Sequence, residues 1–483
     1  MMEPTHELIM SQNSRIIDAL TLCLYQKSNK DVKLNKSIAY SGLTDLYEHY
    51  ALENRTDQFF EAFEQLCSIP DDYLLGDNPI LDNFIIQLEK VFHPQKPEKK
   101  VTRPTPWWQT EREALLAIAE TQSPCYVYHS ATQMAQAKQL LSLESIDTLF
   151  YAIKANSHPS ILKTLEKEGI GFECVSLQEL KRISDLFPNI DKKRILFTPN
   201  FAPKTEYEFA MNLGCYVTID NVYPLTHWTE LFQNRDIIVR IDPGAGAGHH
   251  KHVVTGGNES KFGIDQQNIE QLKTLTQENN IRVIGLHSHS GSGILTPELW
   301  EQTALILTSL IKQFPNTQFI NLGGGLGIVE KPGQKPLDLK KLDARLLAVK
   351  SHYPHLKFWM EPGRFFVAES GVILAKVTQC KEKGEVKFIG IETGMNSLIR
   401  PSLYGAYHEI VNLSRLYSEK SGFSHVVGPI CESGDTLGYD RLLPTTDEGD
   451  IILIANTGAY GHCMSSHYNL RSPAHEIILE ASH

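Results

Sequence analysis

Lys154 lies in the run F-Y-A-I-K-A-N, Phe150–Asn156, at the end of an otherwise apolar segment. Burying an ammonium is costly unless it is paired or chemically used. At the C-terminal end of a buried strand, facing a pocket, such a lysine is placed for Schiff-base chemistry. The plainer alternative is a solvated edge residue that snorkels out of the strand. Other apolar runs also end in chemically loaded residues: Glu173, Asn200, Asp220, Arg240, His289, Gly323–Gly325, and Glu361 with Arg364. The glycines of Leu322–Gly327 (L-G-G-G-L-G) let backbone N–H groups approach an anion, or else make a tight turn. In His289–Ser292 (H-S-G-S), Ser292 offers a second phosphate contact and His289 a ring that can stack on a flat heterocycle. In Glu361–Arg364 (E-P-G-R), the guanidinium can bind phosphate bidentately and the carboxylate can hold a ring nitrogen protonated. An amine, a phosphate site, a stacking ring and an acid together fit pyridoxal 5′-phosphate.

The elements that must position these residues follow from the rhythm of the chain. Short apolar or β-branched runs alternate with helical patterns: Thr148–Asn156, Gly171–Ser176, Arg194–Asn200, Cys215–Asn221, Asp236–Asp242, Arg282–Ser290, Gln318–Gly325 and Lys357–Arg364. Eight such runs over residues 145–370 predict an α/β fold, a (β/α)8 TIM-type barrel with its site at the C-terminal strand ends. A doubly wound sheet is the competitor, but no first strand carries a dinucleotide fingerprint. Beyond residue 370 the helices stop, and Val372–Gln379, Glu385–Ile391, Ser424–Cys431 and Asp450–Ala455 read as strands. With Pro124–His129 they predict a β domain built from both flanks, residues 107–144 and 371–483, with the barrel inserted between. Residues 1–92 read as a helical extension of unassigned role. Residues 93–106, with four prolines, read as a linker.

Seven motifs stand in an order that resembles one family: Y-A-I-K-A-N (Tyr151–Asn156), H-S-G-S, G-G-G, E-P-G-R, R-P-S-L-Y (Arg400–Tyr404), G-P-I-C-E-S-G-D (Gly428–Asp435) and G-A-Y (Gly458–Tyr460). Over about residues 107–483 the chain resembles the fold-type III pyridoxal-phosphate decarboxylases, most closely the diaminopimelate decarboxylase family. The resemblance implies decarboxylation of meso-2,6-diaminopimelate to L-lysine by a cytoplasmic homodimer with shared active sites. It implies that Lys154 binds pyridoxal 5′-phosphate covalently, His289 stacks on its ring and Glu361 pairs with its nitrogen. Ser292, Gly323, Gly324, Gly325, Arg364 and Tyr460 would hold the phosphate region. Arg400, Tyr404 and Arg364 would grip the distal carboxylate of the substrate, with Tyr460 nearby. Glu432 would bind the distal ammonium and Cys431 would donate a proton, both reaching into the partner's site.

The chain departs from the family at Glu173, where relatives often carry Asp, at Arg240–Pro243 (R-I-D-P) and at Ser290. The extension before the linker is the larger departure. Ser37–Asp45 faintly resembles an aspartate kinase segment, but the kinase's K-F-G-G-T-S motif is absent. A formal net charge of −11 disfavours nucleic acid and anionic membranes as partners. The start, M-M-E-P-T-H-E, has neither a basic nor an apolar leader region. The eight cysteines form no C-x-x-C pair, and no metal site is expected. The tract Gly248–His252 (G-H-H-K-H) lacks a Cys or acid at ligand spacing and reads as a mobile loop, with a lid as one role. Ser260–Gly263 reads as a structural turn. A decarboxylase of ornithine, arginine or a carboxylated polyamine is the alternative; Arg400 argues against it, because those substrates offer no second carboxylate to pair. A racemase on the same fold and a non-catalytic homologue are further readings, the latter opposed by the joint presence of Lys154, Glu361 and Cys431.

Overall fold

The computed structural model describes residues 105–244, 260–384 and 386–480. Residues 1–92, expected to be a helical extension, most of the expected linker and the Gly248–His252 tract lie outside them. Eight parallel strands close a barrel in sequence order: β2 (Thr148–Ala152), β3 (Gly171–Cys174), β4 (Ile195–Phe197), β5 (Tyr216–Ile219), β6 (Asp236–Arg240), β7 (Arg282–His287), β8 (Phe319–Asn321) and β9 (Lys357–Met360). β2 pairs with both β3 and β9, which completes the ring.

The two-residue period of the strands sorts the barrel interior into layers. Phe150, Leu196, Ile238, Ile284, Phe319 and Trp359 form one separate buried cluster, with Tyr216 against it. The Phe319 and Trp359 rings stack at 3.4 Å between centroids, and Tyr216 meets Trp359 edge-on at 5.0 Å. Gly285 is needed here, since a Cβ on it would collide with the Phe319 ring. Two residues further along the same strand faces come Thr198, Thr218, Arg240, Asn321 and Glu361, joined by Glu173 on β3 and by Lys154 just past β2. An aromatic floor thus fills one end and leaves polar groups at the other.

The strands are shorter than the apolar runs. β2 ends at Ala152, and Lys154 sits in a single 3-10 turn, Ile153–Ala155. The Tyr151 hydroxyl donates to the Asn156 carbonyl at 2.8 Å and closes that turn. Lys154 is therefore displayed at the rim, where a continuing strand would have carried it past the mouth.

The second sheet has eight strands: β1 (Cys125–His129), β10 (Gly371–Lys383), β11 (Val386–Ile391), β12 (Ile410–Asn412), β13 (Lys420–Val427), β14 (Thr436–Pro444), β15 (Ile451–Ile454) and β16 (His475–Leu479). β1 runs antiparallel to β10 and parallel to β16, so the flanks of the barrel meet in one sheet. The reading missed β12, β14 and β16. Burial along β14 does not alternate, because its ladder with β13 shifts register three times. The run expected at Ser424–Cys431 leaves the ladder at Val427. Asp435 explains this: its carboxylate accepts the N–H groups of Ile430 at 2.7 Å and Met395 at 2.6 Å. Captured that way, residues 428–435 form a turn and Cys431 stands on it. Among the described residues no helix is long and apolar enough to cross a membrane.

Candidate active site

Lys154 reaches Glu173 on β3, with Nζ 2.5 Å from Oε2. Burial alone would lower the lysine's pKa, but Glu173, Tyr460 and Glu361 outweigh it and the net shift is upward. Burial pushes Glu173 up to about 7, against the pull of Lys154. The Lys154 turn is clamped to the β domain: Tyr460 N–H donates to the Ala155 carbonyl at 2.8 Å, and Asn156 Nδ2 donates to the Gly458 carbonyl at 3.0 Å. Tyr460 adopts a φ of 55°, a left-handed conformation that is uncommon for a non-glycine residue and marks a locally constrained position.

Glu361, just beyond β9, is buried and held from two sides. Asn321 Nδ2 donates to its Oε1 at 2.6 Å, and His287 Nε2 lies 3.5 Å from its Oε2. Burial would raise the pKa of this carboxyl, but His287 and Lys154 prevail and hold it at about 2. His289 goes the other way: burial, assisted by Arg240 and Lys154, lowers it to about 3. It is a neutral ring whose Nδ1 accepts the Gly324 N–H at 3.2 Å, which places its proton on Nε2. The glycine triplet is packed too tightly for side chains. A Cβ on Gly323 would stand 2.8 Å from His289 Nδ1, and one on Gly325 2.6 Å from the Gly291 carbonyl. Trp300 Nε1 fixes the triplet from behind through the Gly324 carbonyl, at 3.0 Å.

Asn200, Asp220 and Arg240 form a network of their own. Asn200 Nδ2 donates to Asp220 at 2.5 Å, Arg240 Nη1 lies 3.4 Å from the same carboxylate, and the Gly263 N–H reaches it at 3.1 Å. Ser260–Gly263 is irregular backbone that bends at Gly263, where φ is 84°, and Asp220 ties it to the barrel.

Arg364 and Arg400 converge on one residue that the sequence reading did not single out, Glu330. Arg364 Nη1 donates to Glu330 Oε1 at 3.2 Å and Arg400 Nη2 to the same oxygen at 3.0 Å. Arg364 Nη2 also reaches Ser292 Oγ at 3.2 Å, and its guanidinium lies 5.1 Å from the Tyr460 ring centroid. Arg364 does not pair with Glu361, although E-P-G-R places them close in sequence. Arg400 opens the short helix Arg400–Tyr404 and is almost wholly buried, at 1% exposure. Its Nη1 faces His408 Nε2 at 3.0 Å, and His408 Nδ1 faces the Ala455 carbonyl at 2.9 Å. Burial and Arg400 lower His408 to about 3, so it is a neutral acceptor toward Arg400. Tyr404 closes the same helix, half-buried.

Cys431 and Glu432 are exposed. The Cys431 backbone N–H is held by Asn469 Oδ1 at 2.7 Å, and Ser402 Oγ ties the Arg400 helix to the Gly434 carbonyl at 2.6 Å. No hydrogen bond or ion pair joins either side chain to the barrel residues within the described chain. Strand periodicity could have found His287 and Asn321, two residues before His289 and Gly323. Glu330 and His408 carry no such signal.

Comparison with known proteins agrees with this geometry. Residues 129–368 match the pyridoxal-dependent decarboxylases through their pyridoxal binding domain. The diaminopimelate decarboxylase of Methanothermobacter thermautotrophicus is 35% identical over 343 residues, covering 68% of this chain and 79% of the relative. That of Escherichia coli K12 is 30% identical over 392 residues, covering 77% and 92%. The crystal structure of the Helicobacter pylori enzyme complexed with L-lysine superposes with a TM-score of 0.69 at 31% identity, covering 76% of this chain and 94% of that one. With this barrel, this lysine turn and these relatives, the chain belongs to the diaminopimelate decarboxylase family of pyridoxal-dependent enzymes.

Proposed function

We propose that this chain uses pyridoxal 5′-phosphate to convert meso-2,6-diaminopimelate to L-lysine and carbon dioxide, the last step of lysine biosynthesis. The observation that carries the substrate choice is the convergence of Arg364 and Arg400 on one carboxylate. A buried pair of guanidiniums suits a substrate with a second carboxylate, which ornithine and arginine lack.

The donor set fits the cofactor. It comprises an amine, an ionised carboxylate, a neutral imidazole, and a hydroxyl beside a guanidinium. Thr198, Thr218 and His287 add buried polar atoms without hydrogen-bond partners in the same barrel interior. Lys154, His289, Ser292, Gly323–Gly325, Glu361, Arg364 and Tyr460 would hold the cofactor. When bound, it supplies an electron-withdrawing ring that takes up the electron pair left as carbon dioxide departs. Glu361, ionised well into acid, would keep a proton on the ring nitrogen and so sustain that sink. Neutral His289 would lie against the ring without adding a competing positive charge. Arg364 and Arg400 orient the end of the substrate that keeps its carboxylate. The Cys431 thiol delivers a proton to the carbon that lost its carboxylate, and Glu432 binds the distal ammonium.

Both of those last groups are exposed on a single chain, beside Tyr468 at 45% and Leu470 at 96% exposure. Exposed apolar groups next to unused catalytic ones suit a two-fold dimer in which each Cys431 turn completes the other copy's site. The test is carbon dioxide release from meso-diaminopimelate, L-ornithine and L-arginine. Release from the first alone is expected; release from ornithine and not from diaminopimelate overturns the substrate.

A further inference from the structure

Glu330 belongs to no motif that the family resemblance brought forward, yet it occupies the centre of the anion site. It follows the glycine triplet by a few residues, in the loop before the helix Leu339–Ser351. Its backbone N–H and that of Lys331 are both held by Gln334 Oε1, at 3.0 and 2.9 Å. Its side chain is 16% exposed, against 7% for Arg364 and 1% for Arg400. The arginine N–H groups nearest the mouth, Arg364 Nη1 and Arg400 Nη2, both spend themselves on Glu330 Oε1. The other terminal nitrogens each give one bond, Arg364 Nη2 to Ser292 and Arg400 Nη1 to His408, and Arg364 Nε is buried without a hydrogen-bond partner. A substrate carboxylate that bridges both guanidiniums meets Glu330 on the two N–H groups that converge there. Two guanidiniums and one carboxylate carry a net single positive charge, which the entering carboxylate meets only by competing with one of like sign.

We propose that Glu330 is a positioning residue, an internal carboxylate that occupies the Arg364–Arg400 pair in the empty site and is displaced by the distal carboxylate of the substrate. The proposal rests on the function given above. Without Glu330, two buried guanidiniums would stand unpaired in the free protein, which is costly. With it, the pair stays pre-organised, and a ligand end without a carboxylate cannot displace the incumbent. Glu330 thus lowers affinity for the carboxylated ligand while it keeps the guanidinium pair charge-compensated in the empty site.

The test compares L-lysine, which retains the distal carboxylate, with 1,5-diaminopentane, which is the same molecule without it. Both are measured as inhibitors of the cofactor-loaded enzyme and by direct calorimetric titration. In Glu330→Gln, L-lysine is expected to bind about tenfold more tightly, roughly 1.4 kcal/mol, and diaminopentane to change less than about twofold on the same scale. KM for meso-diaminopimelate falls with L-lysine's dissociation constant, and kcat falls as product release slows. Glu330→Asp, which retracts the carboxylate by one methylene, moves in the same direction by less. A measurement on the unsubstituted enzyme guards against a misfolded variant. Amide exchange at Glu330 and Lys331 should quicken with L-lysine and not with diaminopentane. Weaker L-lysine binding in Glu330→Gln would mean that Glu330 holds the ammonium instead, and overturns the proposal. Equal changes for both ligands, or none, would reduce Glu330 to a structural pair and overturn it too. If the unsubstituted enzyme releases no carbon dioxide from meso-diaminopimelate, the functional reading has failed before any variant is compared.

Discussion

The barrel mouth and the Cys431 turn handle their reactive groups in opposite ways. In the mouth, Lys154, Glu361 and Arg400 each meet a partner from the same chain: Glu173, Asn321 with His287, and Glu330 with His408. On the turn, Cys431 and Glu432 are exposed, and only the backbone is tethered, through Asn469 and Asp435. The first arrangement is electrostatically complete in one copy. The second fixes the shape of a loop and leaves its side chains for something outside. In the dimer proposed above, the site would divide into a pre-organised half and a half supplied on assembly.

The sharpest way to break this comparison is to remove the lysine. Lys154→Ala should lower carbon dioxide release by about 10⁴-fold or more, as loss of a covalent group does, and abolish the visible absorbance of the bound cofactor. Retained absorbance with retained turnover would end its assignment. Next, Glu361→Gln should cut kcat by about 10²–10³-fold, the scale of a lost electrostatic contact, while cofactor affinity falls far less. Equal losses in both would make Glu361 a binding group only.

Cys431→Ser should lower kcat by about 10²-fold, in keeping with a general acid, and leave cofactor absorbance intact. Mixing inactive Lys154→Ala and Cys431→Ser chains tests the division directly. If the turn serves the other copy, random exchange makes one intact site in each mixed dimer and restores about a quarter of the activity. No recovery after proven exchange would place the two halves in the same chain.

The smallest effect is on stability. The folded pKa of Glu361, about 2, lies below its ordinary value of 4.5. Its ionised form therefore contributes stability that is full above the ordinary value and is lost as pH falls toward 2. The gap in melting temperature between the unsubstituted protein and Glu361→Gln should narrow from about pH 6 to about pH 3. A gap independent of pH would mean that the carboxylate's charge is not what the fold rewards.

The same contrast explains what could be read in advance. Lys154, His289, the glycine triplet and Glu361 were legible because a parallel barrel strand is a short local run, and its end is where chemistry collects. The barrel itself followed from eight repetitions of that run. The β domain was half legible. Strands such as β14 and β16 are irregular in register or partly exposed, so they lack the alternation that reveals a strand. Glu330 and His408 were invisible for another reason. Each acts through one contact with Arg400, eight residues away for His408 and seventy for Glu330, and no local pattern encodes such a meeting.

The parallel pairing of β1 with β16 has a consequence for biosynthesis. The Tyr128 hydroxyl donates to Glu476, 348 residues later, at 2.8 Å. At 5–20 residues per second, a ribosome needs roughly 20–70 s to make the intervening chain. For that interval β1 has no β16 to dock against. Tyr460, which braces the Lys154 turn, is likewise made long after it. The barrel can close while the chain is still being made, but its reactive lysine acquires its full surroundings only once residues 458–460 have emerged. An unfinished chain therefore carries the amine without the assembled site that would direct it.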